Sequence, residues 1–447
     1  MRNILLVLLF CILFSCAKED AEVVMEGLGT EFKGELDWIK NFGGNQDDSA
    51  QAIIKTIDGG YAILGYTGSI NGDVLTKNEE ENDYWLLKLD KDFNLKWNKT
   101  YGGSKDDIGQ SLAQTSDGGY ILTGYAMSSD GDATNNEGFH DNWILKLNAQ
   151  GVLEWESSYG FSGHDHSYDI IEATQGGYFF TGFLDITSAR ADGNTEKGNS
   201  LTSHGVGEFW GTKIDEDGKV QWRGYFGGTN NDRAHSVVQT NDGGYVMAGF
   251  TESNDFDISN TNGSYDFWVV KVDTFGNLLW EQSYGGEGIE VSYDIAKTAD
   301  NGFVVVGNTF STNGDILLNH GGSDMWMIKL DEDGNLIWEQ TYGGSQFDLA
   351  QAVVQSKDGG FLITGNTKSD DKFSTINYGE NDIWVVKTNS FGTLVWQKSF
   401  GGSGLDFGHD LLENADGSIV VIGESTSTDF QTLTSKGKAD LILLKIK

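Results

Sequence analysis

The sequence predicts an all-β fold in which seven four-stranded antiparallel blades close into a ring, and three observations predict it. The first is a repeat. Trp38, Trp97, Trp155, Trp222, Trp280, Trp338 and Trp396 lie 59, 58, 67, 58, 58 and 58 residues apart. Trp85, Trp143, Trp210, Trp268, Trp326 and Trp384 each stand 12 residues before the next member of that column, which accounts for all 13 Trp. The second is composition: 61 Gly, no Pro and 12 % aromatic residues suit many short strands joined by Gly turns, with no Pro-rich hinge to separate domains. The third is where the copies break. The last copy stops at its third strand, "ADLILLKIK", while the first begins with a spare fourth strand, "ELDWIKNFGG", from Glu35. An N-terminal strand that completes the last blade closes the ring and leaves no wide edge exposed. A single seven-bladed β-propeller over residues 34–447 is therefore expected.

The elements follow in chain order. Residues 1–15, "MRNILLVLLFCILFS", hold one Arg and an apolar run from Ile4 to Phe14. Eleven such residues fall short of the roughly 20 a spanning helix needs, so the segment reads as an export signal. "LFSC" resembles the lipobox of bacterial lipoproteins, which implies that Cys16 carries the lipid anchor. Residues 16–33, opening "CAKEDAE", resemble the acidic tether that sends some bacterial lipoproteins to the outer face of the outer membrane, which implies display on that face. Cys11 leaves with the signal and Cys16 takes the lipid, so no disulfide or thiol nucleophile is expected in the folded part.

One unit, read from Trp280, shows the blade. "SYDIAKT" alternates as a first strand, "GFVVVGNT" follows an "ADN" turn, "DMWMIKLD" follows a longer loop, and "NLIWEQTYG" follows the tight "EDG" turn. The pattern D…W…KLD…G…W…YGG…D…DGGY resembles the repeats of bacterial seven-bladed propeller lipoproteins found among exported and surface proteins. More remotely, "LDEDGNLIW" (330–338) is similar to the tryptophan-docking motif of quinoprotein-type propellers. It lacks their Thr before the Gly and their vicinal Cys pair, so a quinone is not expected. "DEDG" at 215–218 and 331–334 runs straight into a strand and reads as a hairpin turn, because a Ca²⁺ loop needs further acids at fixed offsets.

A net charge of −37 sets the chain against phosphate backbones and anionic lipid, so nucleic acid is excluded as a partner and membrane contact is expected only through the lipid. Two columns recur in every copy. The acids Asp48, Asp107, Asp165, Asp232, Glu290, Asp348 and Asp406 are expected to accept backbone N–H bonds in the crossing loops. Lys88, Lys146, Lys213, Lys271, Lys329, Lys387 and Lys445 are expected to form ion pairs at blade contacts.

The third copy breaks the pattern, and broken symmetry is where a site is expected. "YGFSGHDHSYD" replaces the second Gly by Phe161 and flanks the acid as His164-Asp165-His166; the loop from about Asp185 to Gly207 is nine residues longer and carries Arg190 and His204. The ligand-binding candidates are His164, Asp165, His166, Arg190, His204 and His235 on the face that bears the long loops, with His164 and His166 the metal candidates, since imidazole is the usual transition-metal ligand. No cofactor other than such a divalent metal is suggested. No catalytic residue can be named, because propeller sites are assembled from loops of different blades and leave no local motif. The expectation is a monomeric outer-membrane lipoprotein that binds a glycan or protein through that face. The alternatives are a hydrolase or lyase centred near blade 3, or a scaffold in an envelope complex.

Overall fold

A computed structural model describes residues 34–447 apart from residues 76, 137, 162, 185–206, 375, 431 and 432. The expected signal, the acidic tether and Cys16 lie outside the described residues, as do Arg190 and His204.

The described chain is all β, with seven four-stranded antiparallel sheets. Blade 1 runs β2 (Asp48–Lys55), β3 (Tyr61–Thr67), β4 (Asp83–Leu89) and β5 (Leu95–Tyr101), hydrogen-bonded in that order, and blades 2 to 6 repeat the plan. The seventh sheet closes as the copy boundaries predict: β1 (Leu36–Phe42) pairs antiparallel with β28 (Asp440–Ile446), the last strand of the chain. Successive first strands, β2, β6 (Asp107–Gln114), β10 (Asp165–Glu172), β14 (Asp232–Gln239), β18 (Glu290–Lys297), β22 (Asp348–Gln355) and β26 (Asp406–Glu413), touch one another around the axis.

Packing explains the two Trp columns. The third-strand column, Trp85 to Trp384, is fully buried, within apolar clusters that join neighbouring blades. The fourth-strand column is half-buried and faces the hairpin of the following blade: Trp97 lies against Gly151, Trp280 against Gly334 and Trp338 against Gly392. A Cβ on Gly334 would come within 2.9 Å of the Trp280 ring, and its φ of +82° is a conformation that costs Gly nothing.

The acid column is structural, as expected. Asp48, Asp107, Asp232, Asp348 and Asp406 each accept the N–H of the second Gly of the preceding signature at 2.7–2.9 Å, and Glu290 does so at 2.8 Å. Asp165 takes the same bond from Phe161 at 2.6 Å, so the loss of that Gly leaves the crossing loop intact. The first Gly of the signature has a separate reason. A Cβ on Gly285 would sit 2.0 Å from Asp266 Oδ1 and 2.7 Å from Glu290 Oε2.

The Lys column departs from expectation. Lys88 pairs with Asp58, Lys146 with Asp117, Lys329 with Asp300 and Lys387 with Asp358, and each partner is the "DGG"-type turn acid of the same blade. These pairs therefore tie a third strand to its own first hairpin and do not bridge blades. Blade 3 has Gln175 at the acid's place, and Lys213 turns to the carbonyls of Gly176 and Ile214 at 2.6 and 2.9 Å.

Candidate functional site: three histidines between blades 2 and 3

A backbone contact recurs at the blade junctions on the face of the long loops. The residue before each third strand meets the residue before the next first strand in a short parallel bridge, as in Tyr265 with Ile289, Ser323 with Phe347 and Asn381 with Leu405. Between blades 2 and 3 that bridge joins His140 to His164, with Asp165 N–H donating to His140 O at 2.8 Å. His140 immediately precedes β8 (Asp141–Leu147) and His164 immediately precedes β10. His166, the second residue of β10, brings a third imidazole to the same place; the other first strands carry Ser49, Ile108, Arg233, Val291, Leu349 and Phe407 there.

The three rings converge on one point. His140 Nδ1 lies 2.9 Å from His164 Nδ1 and 3.2 Å from His166 Nε2, and one nitrogen from each ring falls within 4.8 Å of the others. A tetrahedral ion with N ligands at about 2.0–2.1 Å sets its donor atoms ~3.3 Å apart. One proton on His140 Nδ1 can serve only one of its two neighbours, whereas one cation serves all three lone pairs.

Electrostatics keep the lone pairs available. Burial, reinforced by His140, Arg233 and His164, pushes the His166 imidazole down to about 3, and burial with His164 lowers His140. Both rings are neutral at neutral pH, the form that ligates metal. Their orientations are fixed by ring packing and one outer hydrogen bond. Tyr125 stacks on His166 at 3.9 Å and 12°, Phe139 stacks on His164 at 5.2 Å, and Tyr168 Oη lies 3.4 Å from His166 Nδ1. That outer contact engages Nδ1 and leaves Nε2 turned toward His140. Arg233 in turn hydrogen-bonds Tyr168 and lies over the Phe183 ring at 4.1 Å. His140 and His166 are half-buried and His164 is exposed, so the group is open to solvent on the His164 side.

Of the residues singled out by sequence, the structure brings His164 and His166 together. Asp165 lies between them in sequence but points inward, fully buried, to the crossing loop. His235 stands apart: its Nδ1 meets Ser292 O at 2.6 Å, it stacks on Tyr293, and burial pushes it down to about 4. Tyr168 is its link to the group, in edge contact with His235 at 5.1 Å. His140 was missing from the candidates. Its signal lay in the columns: "FHDNW" puts His140 directly before the third-strand Asp, as "GHD" puts His164 directly before the ring Asp.

No protein-family model matches the chain, and no curated protein matches it. Solved structures share its fold. A chain of a mitotic checkpoint complex aligns with a TM-score of 0.50 at 7% identity, over 99% of each chain. A protein of unknown function from Bacteroides caccae aligns with a TM-score of 0.38 at 12% identity, over 75% of this chain and 93% of that one. A quinohemoprotein alcohol dehydrogenase from Pseudomonas putida aligns with a TM-score of 0.43 at 9% identity, over 91% of this chain and 76% of that one. Identities this low speak to fold alone. The chain is a seven-bladed β-propeller.

Proposed function

We propose that this protein is a surface lipoprotein of the outer membrane whose propeller is a binding module centred on one transition-metal ion, held by His140, His164 and His166. The observation that carries the reading is the convergence of the His140, His164 and His166 ring nitrogens within 4.8 Å of one another at the junction of blades 2 and 3, where the repeat is broken. Three His ligands would leave a coordination position open to a further ligand, and His164 is the exposed member of the group. Borderline imidazole donors select ions of the Zn²⁺, Cu²⁺, Ni²⁺ and Co²⁺ class over Mg²⁺ or Ca²⁺. A carboxylate or hydroxyl of a glycan or protein would complete the coordination shell, with exposed Phe139, stacked on His164, beside it. The apolar N-terminal run and "LFSC" support export and lipidation at Cys16, and the acidic "AKEDAE" supports display on the outside.

Equilibrium dialysis of the protein against Zn²⁺ and Co²⁺, read by elemental analysis and by the Co²⁺ visible spectrum, tests the centre. One ion per chain and a four-coordinate Co²⁺ spectrum are expected. His140→Ala and His166→Ala should each weaken binding at least a hundredfold without lowering the melting temperature of the metal-free protein by more than a few degrees. Binding below one ion per ten chains, or full binding by both variants, overturns the reading. The open position also favours a second reading, metal-activated hydrolysis. Turnover of an activated ester by the Zn²⁺ form, lost in both variants, would favour it over binding alone.

A further inference from the structure

The central channel narrows around one column of first-strand residues. Every first strand carries a β-bulge after its third residue, and the residue beyond the bulge points to the axis: Ala52, Ser111, Asp169, Ser236, Asp294, Ala352 and Asp410 in blades 1 to 7. Carboxylates occupy blades 3, 5 and 7, so that none has a carboxylate in an adjacent blade. An odd number of blades cannot alternate all the way round, and the break falls at blades 1 and 2, where Ala52 and Ser111 stand side by side. Below that break a cavity of about 600 Å³ opens on the face opposite the histidines.

Three features of the cavity are chemical. Its walls are mostly apolar, from Ile54, Ile57, Leu112 and Ile171, with Lys55, Gln114 and Glu172 also on the lining, and no aromatic side chain lines it. Asp169 and Asp410 are also on its lining. The two carboxylates are unequally served. Asp169 lies between two serines and accepts Val237 N–H at 2.9 Å, Ile170 N–H at 2.8 Å and Ser111 Oγ–H at 2.8 Å, with Ser236 Oγ at 3.2 Å. Asp410 lies between two alanines and accepts Ile53 N–H at 2.8 Å and Leu411 N–H at 2.7 Å. A carboxylate offers about four acceptor sites. Asp410 therefore has acceptor capacity left over on the wall of this cavity, with only backbone N–H donors bonded to it among the described residues.

We propose that this lower half of the channel binds a primary ammonium group carried on an aliphatic body, with the ammonium donating to Asp410 and the body lying along Ile54, Ile57 and Ile171. A primary ammonium brings three N–H donors to the carboxylate. A quaternary ammonium brings none and is recognised by aromatic cages, which this cavity lacks. The site is separate from the histidine centre and does not rest on it.

Isothermal titration of the full chain at about pH 9, where the Asp410 carboxyl that burial raises to about 8 is ionised and an alkylammonium still carries its proton, tests the proposal with n-hexylamine, 1-hexanol and tetraethylammonium. One hexylamine per chain is expected, with the alcohol and the quaternary ion at least tenfold weaker. Asp410→Asn keeps an acceptor for Ile53 N–H and should lose at least tenfold in hexylamine affinity, while Asp169→Asn loses less. Ala52→Leu fills the cavity and should abolish binding with both carboxylates in place. An unchanged circular-dichroism spectrum and a single cooperative thermal transition report that each variant is folded. Absence of hexylamine binding, equal binding of hexylamine and hexanol, or undiminished affinity in folded Asp410→Asn would overturn the site.

Discussion

Phe93 stands where the other five third-to-fourth-strand hairpins, and the approach to β1, place a glycine. Gly34, Gly151, Gly218, Gly276, Gly334 and Gly392 have φ between +65° and +82° and lie against the fourth-strand Trp of the preceding blade. Phe93 keeps the left-handed backbone at φ 60° and meets Trp38 edge-on at 4.9 Å while stacking on Tyr61 at 4.2 Å. A left-handed L-residue costs roughly 1–2 kcal/mol, and truncating a buried Phe costs roughly 3–5 kcal/mol. Phe93→Gly relieves the first cost and incurs the second, for a net loss of about 2 kcal/mol. Phe93→Ala keeps the strain and loses the ring, so it should be the less stable variant by chemical denaturation; the reverse order would show that the backbone is unstrained. At this scale the sequence was half legible. His164 and His166 stood out because they broke a repeat, whereas His140 sat 24 residues upstream in a loop whose partner is set by the bridge between blades. Backbone pairing between loops of adjacent blades leaves no periodicity to read.

The strands themselves were legible because two strong signals agreed. Alternation marked each strand, and the turn acids marked each hairpin: Asp331 Oδ1 accepts Asp333 N–H at 2.9 Å and Asn335 N–H at 2.8 Å. Only the destination of the Lys side chains escaped, since a column of Lys and a column of turn acids fit pairing within a blade as well as between blades. The element with the most leverage is β1. It supplies the outer strand of the seventh sheet, with Trp38 to Phe42 paired against Lys445 to Leu441. Its removal exposes the N–H and C=O groups of β28 along a full strand, an edge that recruits other chains. Removing residues 1–42 should therefore yield oligomers by size-exclusion chromatography and a melting temperature at least 10 °C lower. A synthetic peptide of residues 34–42 added in trans should restore the monomer. A monomer of unchanged stability without β1 would mean that ring closure rests on the inner strands alone.

Across the whole molecule, the placement of acids makes stability a function of pH with an unusual optimum. Burial raises Asp83 to about 7, Asp266, Asp294 and Asp382 to about 6, and Asp410 to about 8. Between the unfolded carboxylate value near 4 and these native values the folded chain holds more protons than the unfolded one, so stability falls as pH rises through that window. Self-repulsion of a chain at −37 acts in the same direction. His235 works the other way: burial pushes it down to about 4, so below 6.5 the unfolded chain takes up a proton that the folded chain refuses, and stability falls as pH drops. Asp58 and Asp117, lowered to about 2 by hydrogen bonds and their Lys partners, lose their contribution only below about pH 4, and their exposure keeps it small. The balance places the maximum near pH 5, on the acid side of neutrality. Calorimetry of the metal-free protein should give a melting temperature roughly 5 °C higher at pH 5 than at pH 8. Asp294→Asn combined with Asp410→Asn should narrow that gap by removing two of the groups that must ionise inside the channel. A melting temperature that rises from pH 5 to pH 8 would mean that the channel carboxylates ionise at little cost, through water or a bound cation that compensates their burial.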